Sequence, residues 1–134
     1  MKEIVVIVER GKDGKYSAYV ADNECEFGCI GEGRTARETE EDFMAGVEDM
    51  KRIYGREGKH FPEYSFIFKY DLASFLSFYA YAFSLSGLER ITGVNQRQLS
   101  HYATGVRRPS APTVRKIETA VKAFAEEISR VCFL

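Results

Sequence analysis

Six side chains in one short stretch are of the types that hydrogen-bond to base edges or to phosphates. Asn95, Gln96, Arg97, Gln98, Ser100 and His101 precede Gly105, and Arg107 and Arg108 follow it. Amides, guanidinium groups, hydroxyls and imidazoles all hydrogen-bond to base edges in a groove or to the phosphate backbone. A solvated face of an ordinary helix would carry similar residues. Local charge separates the two readings. Arg90, Arg97, Arg107, Arg108, Arg115 and Lys116 fall within 90–116, and that span holds no Asp or Glu. The whole chain is near neutral, with 19 basic and 20 acidic residues. A local cationic excess on a neutral chain is what a polyanion-binding surface requires.

Other reactive types do not assemble in the same way. Cys25 and Cys29 are four apart, with no second pair and no histidine nearby. A metal site needs about four ligands, so no metal or other cofactor is expected, and half-buried free thiols are the simpler reading. The two histidines, His60 and His101, have no neighbouring nucleophile in sequence. Glu38, Glu40, Glu41 and Asp42 run along one helix surface, while Asp13 and Asp22 fall in loops. Metal-dependent hydrolysis needs carboxylates that converge. The chain is therefore expected not to be an enzyme, and the acids read as a solvated face that could complement a basic partner.

The elements that must position the cationic stretch are legible around it. Gly93 suits a tight turn between helices. Asn95 is a good N-cap, and Leu99 and Tyr102 share the inward side of the helix that follows. Upstream, Asp71 caps a helical block in which Leu72, Phe75, Leu76, Tyr79 and Phe83 form one stripe. Ser84 caps the next helix, with Leu85, Leu88 and Ile91 inward. Downstream, a helix from Ser110-Ala111-Pro112 carries Val114, Ile117, Val121, Phe124, Ile128 and Val131 to the end of the chain. Its far end is expected to help form a homodimer or higher oligomer, because proteins that read DNA this way bind paired half-sites.

The front of the chain has a different rhythm. Ile4 to Glu9 is a β-branched run and predicts a buried strand. Gly11 to Lys15 is a hairpin turn with Asp-Gly at its centre, and Tyr16 to Ala21 is the returning strand. A loop over residues 22–26 leads to a glycine-punctuated strand, Phe27 to Gly33. Thr35 and Glu38 form a capping box ahead of a helix with Phe43, Val47 and Met50 on one face. That helix fades near Tyr54-Gly55. Glu63 to Tyr70 alternates with period two and returns to the sheet. The order β-β-β-α-β predicts an α+β domain over 1–70, followed by an all-α domain over 71–134.

Charge follows the same division. Residues 1–50 hold thirteen acidic and six basic residues, and residues 51–134 hold seven acidic and thirteen basic. Two modules with different partners are implied. Apolar residues make up 45% of the chain, including ten Phe and eight Tyr, enough for a packed core. No run of about 18 apolar residues predicts a membrane span. The apolar run near Met1 is too short for a signal segment, so a cytoplasmic protein is expected.

Two resemblances sharpen these expectations. Gly93-Val94, Leu99, Tyr102, Gly105 and Arg107-Arg108-Pro109 resemble the helix-turn-helix of the lambda-repressor/Cro (Xre-like) class, over roughly residues 71 to 124. That resemblance implies operator DNA as a partner, with Gln96, Arg97, Ser100 and His101 reading bases. The class usually carries Leu-Ala in the preceding helix, where this chain has Leu88-Glu89. Asp13-Gly14-Lys15-Tyr16, then Gly28-Cys29 with Gly33, Thr35 and Glu38, resemble the HicB antitoxin family's front domain. The family's Pro-Asp-x-Pro-Gly-Cys loop is replaced here by residues 22–27. This second resemblance implies a pared-down ribonuclease-H-like domain without nuclease activity that binds and blocks a HicA-like toxin. The expectation is an antitoxin that also represses its own operon. The alternative is a stand-alone helix-turn-helix regulator with a ligand-sensing front domain.

Overall fold

Alternation along β1 (Lys2–Arg10) places Ile4, Val6 and Val8 on one side, and all three are buried. A period of two on a pleated strand puts such residues on a single face. The computed structural model describes residues 1–22 and 25–134. Asn23 and Glu24, in the middle of the loop expected over 22–26, lie outside the described residues. Among the described residues the chain is α+β, with a four-stranded mixed sheet and five α-helices. It divides into two compact units, Met1–Ser74 and Phe75–Leu134.

In the first unit, β2 (Tyr16–Val20) returns antiparallel to β1 with Val8 opposite Ala18. The turn between them closes through Gly11, whose N–H donates to the Lys15 carbonyl at 2.7 Å. Gly14 adopts a φ of 83° there, a region open to glycine at little cost. β3 (Ile30–Gly33) pairs antiparallel with β2, and β4 (Tyr64–Tyr70) pairs parallel with β1. The sheet order is β3-β2-β1-β4.

α1 (Ala36–Arg56) starts where the capping signature predicts. Thr35 Oγ1 accepts the Glu38 N–H at 3.1 Å. The reciprocal bond differs from a standard capping box, because the Glu38 carboxylate takes the N–H of Arg34 at 3.0 Å. Phe43 and Val47 are fully buried, and the Phe43 ring meets Phe66 and Phe68 edge to face. Met50, expected on the same face, is only half-buried.

β3 is shorter than its expected extent from Phe27. The Phe27 side chain turns inward instead and packs among Tyr54, Phe61 and Tyr64. Burying that ring draws residues 27–29 off the ladder with β2. The glycines of β3 have a packing reason. A Cβ on Gly31 would lie 2.7 Å from the Phe43 nitrogen, and one on Gly33 would lie 2.8 Å from the Thr39 nitrogen. The backbone of α1 thus lies directly on β3.

The second unit contains helical segments and no strand among its described residues. The aromatic stripe from Leu72 to Phe83 does not form one helix. α2 (Leu72–Phe78) ends in a 3-10 turn over Tyr79–Tyr81, and the N–H groups of Ala82 and Phe83 both bond the Tyr79 carbonyl. The chain must leave helical geometry here, because Ser84 is extended as the N-cap of α3 (Leu85–Thr92). Phe83 instead packs its ring against Phe124. α4 (Gln96–Ala103) and α5 (Ala111–Ser129) follow. Leu76, Leu88, Val94, Leu99, Tyr102 and Ile117 are the buried apolar residues of this unit. α5 stops at Ser129, short of Val131, and Ile128, Val131 and Phe133 are exposed.

Candidate nucleic-acid interface

The cationic stretch is built on the turn between α3 and α4. α3 ends at Gly93, which takes a left-handed φ of 75° and donates its N–H to the Glu89 carbonyl at 2.8 Å. Thr92 Oγ1 donates to the Leu88 carbonyl at 2.7 Å and accepts the Val94 N–H at 3.1 Å. Val94 is buried, which pins the turn to the core. Asn95 then caps α4, its Oδ1 accepting the Arg97 N–H at 2.7 Å. Each bond removes a degree of freedom from the three residues that join the helices.

On α4 the inward pair is Leu99 and Tyr102, as the spacing predicts. That choice forces Gln96, Arg97 and Gln98 outward, and all three are exposed. Ser100 and His101 are half-buried. Asn95 is exposed, but its side-chain oxygen is engaged by the cap, so only its amide group projects free of that bond. After α4, Gly105 takes a φ of 77°, and the Arg107 N–H returns to the His101 carbonyl at 3.3 Å. Arg107 and Arg108 are exposed. The expected residues thus lie at the N-cap and along one helix, Gln96 to His101, and on the loop after it.

Ion pairing leaves these cations available. Among the described residues, the ion pairs lie on α1, at Lys59–Glu57 and on α5, and none involves Arg90, Arg97, Arg107 or Arg108. An exposed, unpaired guanidinium beside two exposed amides can make bidentate contacts to a base edge, and a further pair can neutralise phosphates.

Sequence reasoning did not place two residues at the turn. Glu89 Oε1 accepts the Gln96 N–H at 3.2 Å. A Cβ placed on Gly93 would lie 3.6 Å from Lys116 Nζ, so the Lys116 ammonium sits over the C-terminal end of α3, where a cation is favoured by the helix dipole. The signal for Glu89 was the departure from Leu-Ala at Leu88-Glu89. Lys116 is counted in the cationic span, but its position over α3 follows from the packing of α5.

The acidic stretch of α1 is more occupied than a solvated face would be. Glu38 bonds Arg34 N, Tyr70 Oη donates to Glu40 at 2.8 Å, and Asp42 accepts the Glu32 N–H at 2.9 Å. Glu41 makes an exposed ion pair with Arg37. Three of these four carboxylates therefore bond groups outside α1, whereas Glu41 pairs along the helix itself. Cys29 Sγ lies 3.4 Å from the Phe43 carbonyl, and burial, then the neighbouring Cys25, pushes its thiol pKa up. Among the described residues no group of three or more His, Cys, Asp or Glu converges, and no helix is long and apolar enough to cross a membrane.

Compared with family models, with curated proteins and with solved structures, the chain matches none.

Proposed function

We propose that this chain is a HicB-like antitoxin and autorepressor. Its front unit holds a HicA-like, RNA-cleaving toxin, and its back unit reads the operator of its own operon. The observation that carries the reading is the exposed, unpaired first turn of α4. Gln96, Arg97 and Gln98 project from a hydrogen-bonded turn inside an acid-free stretch, with Arg107 and Arg108 on the adjoining loop. A helix so placed is suited to a major groove, and the loop to the flanking backbone. In this reading α3, the turn and α4 form a helix-turn-helix of the Xre-like kind.

The front unit supports the toxin-binding part less directly. Its three antiparallel strands, helix and returning parallel strand are compatible with a pared-down ribonuclease-H-like fold, and the role proposed for it is occupancy rather than cleavage. The exposed Ile128, Val131 and Phe133 support a homodimer, which two operator half-sites would require. The proposed setting is the cytoplasm, where operator and toxin are both met.

Co-expression tests the whole reading. The tagged chain is expressed with the untagged product of the adjacent short gene, and with a duplex carrying the DNA upstream of its own reading frame as the binding probe. A stoichiometric complex that relieves growth arrest, together with specific retardation of the duplex, is the expected result. Retardation without a complex would leave a plain repressor. Neither would overturn both parts.

A further inference from the structure

Glu89 holds both sides of the interhelical turn. Its carbonyl accepts the Gly93 N–H at 2.8 Å and closes α3, while its carboxylate accepts the Gln96 N–H at 3.2 Å and opens α4. The next donor, Arg97 N–H, is taken by Asn95 Oδ1. The first two backbone donors of α4 are thus satisfied within the protein. Left free, they would form an ordinary seat for a phosphate, since an unsatisfied helix N-terminus attracts anions.

The charge of that capping group is unexpected on a surface meant for a polyanion. Glu89 borders the span 90–116, which holds six cations and no acid. A carboxylate there repels phosphate and lowers affinity for any DNA. A neutral cap would have satisfied the same N–H without that cost. Specificity supplies a reason. Phosphate contacts are alike for every sequence, whereas base-edge contacts are not.

Resting on the reading of α4 as the DNA-reading helix, we infer that Glu89 is a positioning residue that sets specificity. It withholds the Gln96 N–H from phosphate, so the approach of α4 is decided by Gln96 and Arg97 on base edges. Removing it should trade discrimination for affinity.

The test compares wild type, Glu89→Gln and Glu89→Ala on two probes, the upstream duplex and a random-sequence duplex of equal length, across a salt series. Glu89→Ala frees the N–H. Its affinity for the random duplex should rise further than that of Glu89→Gln, because the freed N–H adds a hydrogen bond to phosphate, and its preference for the upstream duplex should fall about tenfold. Glu89→Gln keeps an acceptor for the Gln96 N–H but loses the charge. It should bind the random duplex more tightly than wild type, but less tightly than Glu89→Ala. Loss of fold in Glu89→Ala leaves Glu89→Gln to decide, with unchanged random binding counting against the inference. Equal affinity for the random duplex and an unchanged preference in all three proteins would overturn it while leaving DNA reading intact. Failure of the wild type to prefer the upstream duplex would remove the reading on which it rests.

Discussion

The carboxylate of Asp42 accepts the backbone N–H of Glu32 at 2.9 Å, joining α1 to the outer side of β3. β3 is one of the two edge strands of the sheet. An unpaired edge donor is a template for another strand, and covering it suppresses association. Asp42→Ala should therefore lower stability by no more than about 1 kcal/mol, because water replaces the lost acceptor at this exposed site. Its distinctive effect should be concentration-dependent self-association by light scattering. Glu41→Ala, which breaks only an exposed ion pair with Arg37, is the control and should change neither property. Equal scattering from the two variants would show that Asp42 does not guard the edge.

Gly31 and Gly33 are required by close approach rather than by backbone angle, since neither has a positive φ. An added Cβ at either position meets α1 backbone, which has no rotamer with which to yield. Gly31→Ala and Gly33→Ala should each cost about 1–3 kcal/mol or more in urea unfolding, the range of overpacked cores. Gly28→Ala has nothing within 4 Å of the new carbon and should be near neutral.

Alkaline pH should loosen the first unit. Burial raises the pKa of Tyr16 and of Cys29 above their ordinary values. A group with a raised folded pKa retains its proton longer in the folded chain. Its contribution is fully present below the unfolded value, about 8.5 for a thiol, and is lost as pH rises through the folded value. The urea midpoint should fall progressively above that pH, and Cys29→Ala should remove the thiol's share of the decline. Alkylation at neutral pH should reach exposed Cys132 well before Cys29. A midpoint flat through the alkaline range would contradict the assignment.

The proposed interface separates into two kinds of contact. Gln96→Ala or Arg97→Ala should cost about 1–3 kcal/mol on the upstream duplex and less on random DNA. Arg107→Ala and Arg108→Ala should weaken both and make the salt slope shallower. Uniform losses across all four, measured by retardation in a salt series, would mean that α4 does not read bases.

The local elements were largely legible. The hairpin at Gly14, the cap at Thr35, the turn at Gly93 and the inward pair Leu99 and Tyr102 follow from short-range signals that few alternatives satisfy. The misplaced boundaries share another cause. Phe27, Phe83 and Val131 are strand or helix formers by type and spacing. Phe27 left its ladder for a ring cluster, and Phe83 left its helix because Ser84 must be extended to cap the next one. Val131 fell outside its helix because α5 ends at Ser129.

The side chains of the candidate site and of the acidic stretch divide in the same way. By itself the sequence determined that Gln96, Arg97 and Gln98 would lie outward, because two apolar residues three apart orient an entire short helix. It also determined the acid-free span around them, since charge is a property of composition. Only the tertiary structure decided what the carboxylates do. Glu89 caps α4 from across a turn, Asp42 covers the edge of β3, and Glu40 receives the Tyr70 hydroxyl. A carboxylate's role is set by the donor that the fold brings within 3 Å or so, and between Asp42 and Glu32, or Glu40 and Tyr70, that donor is distant in sequence and made near only by packing.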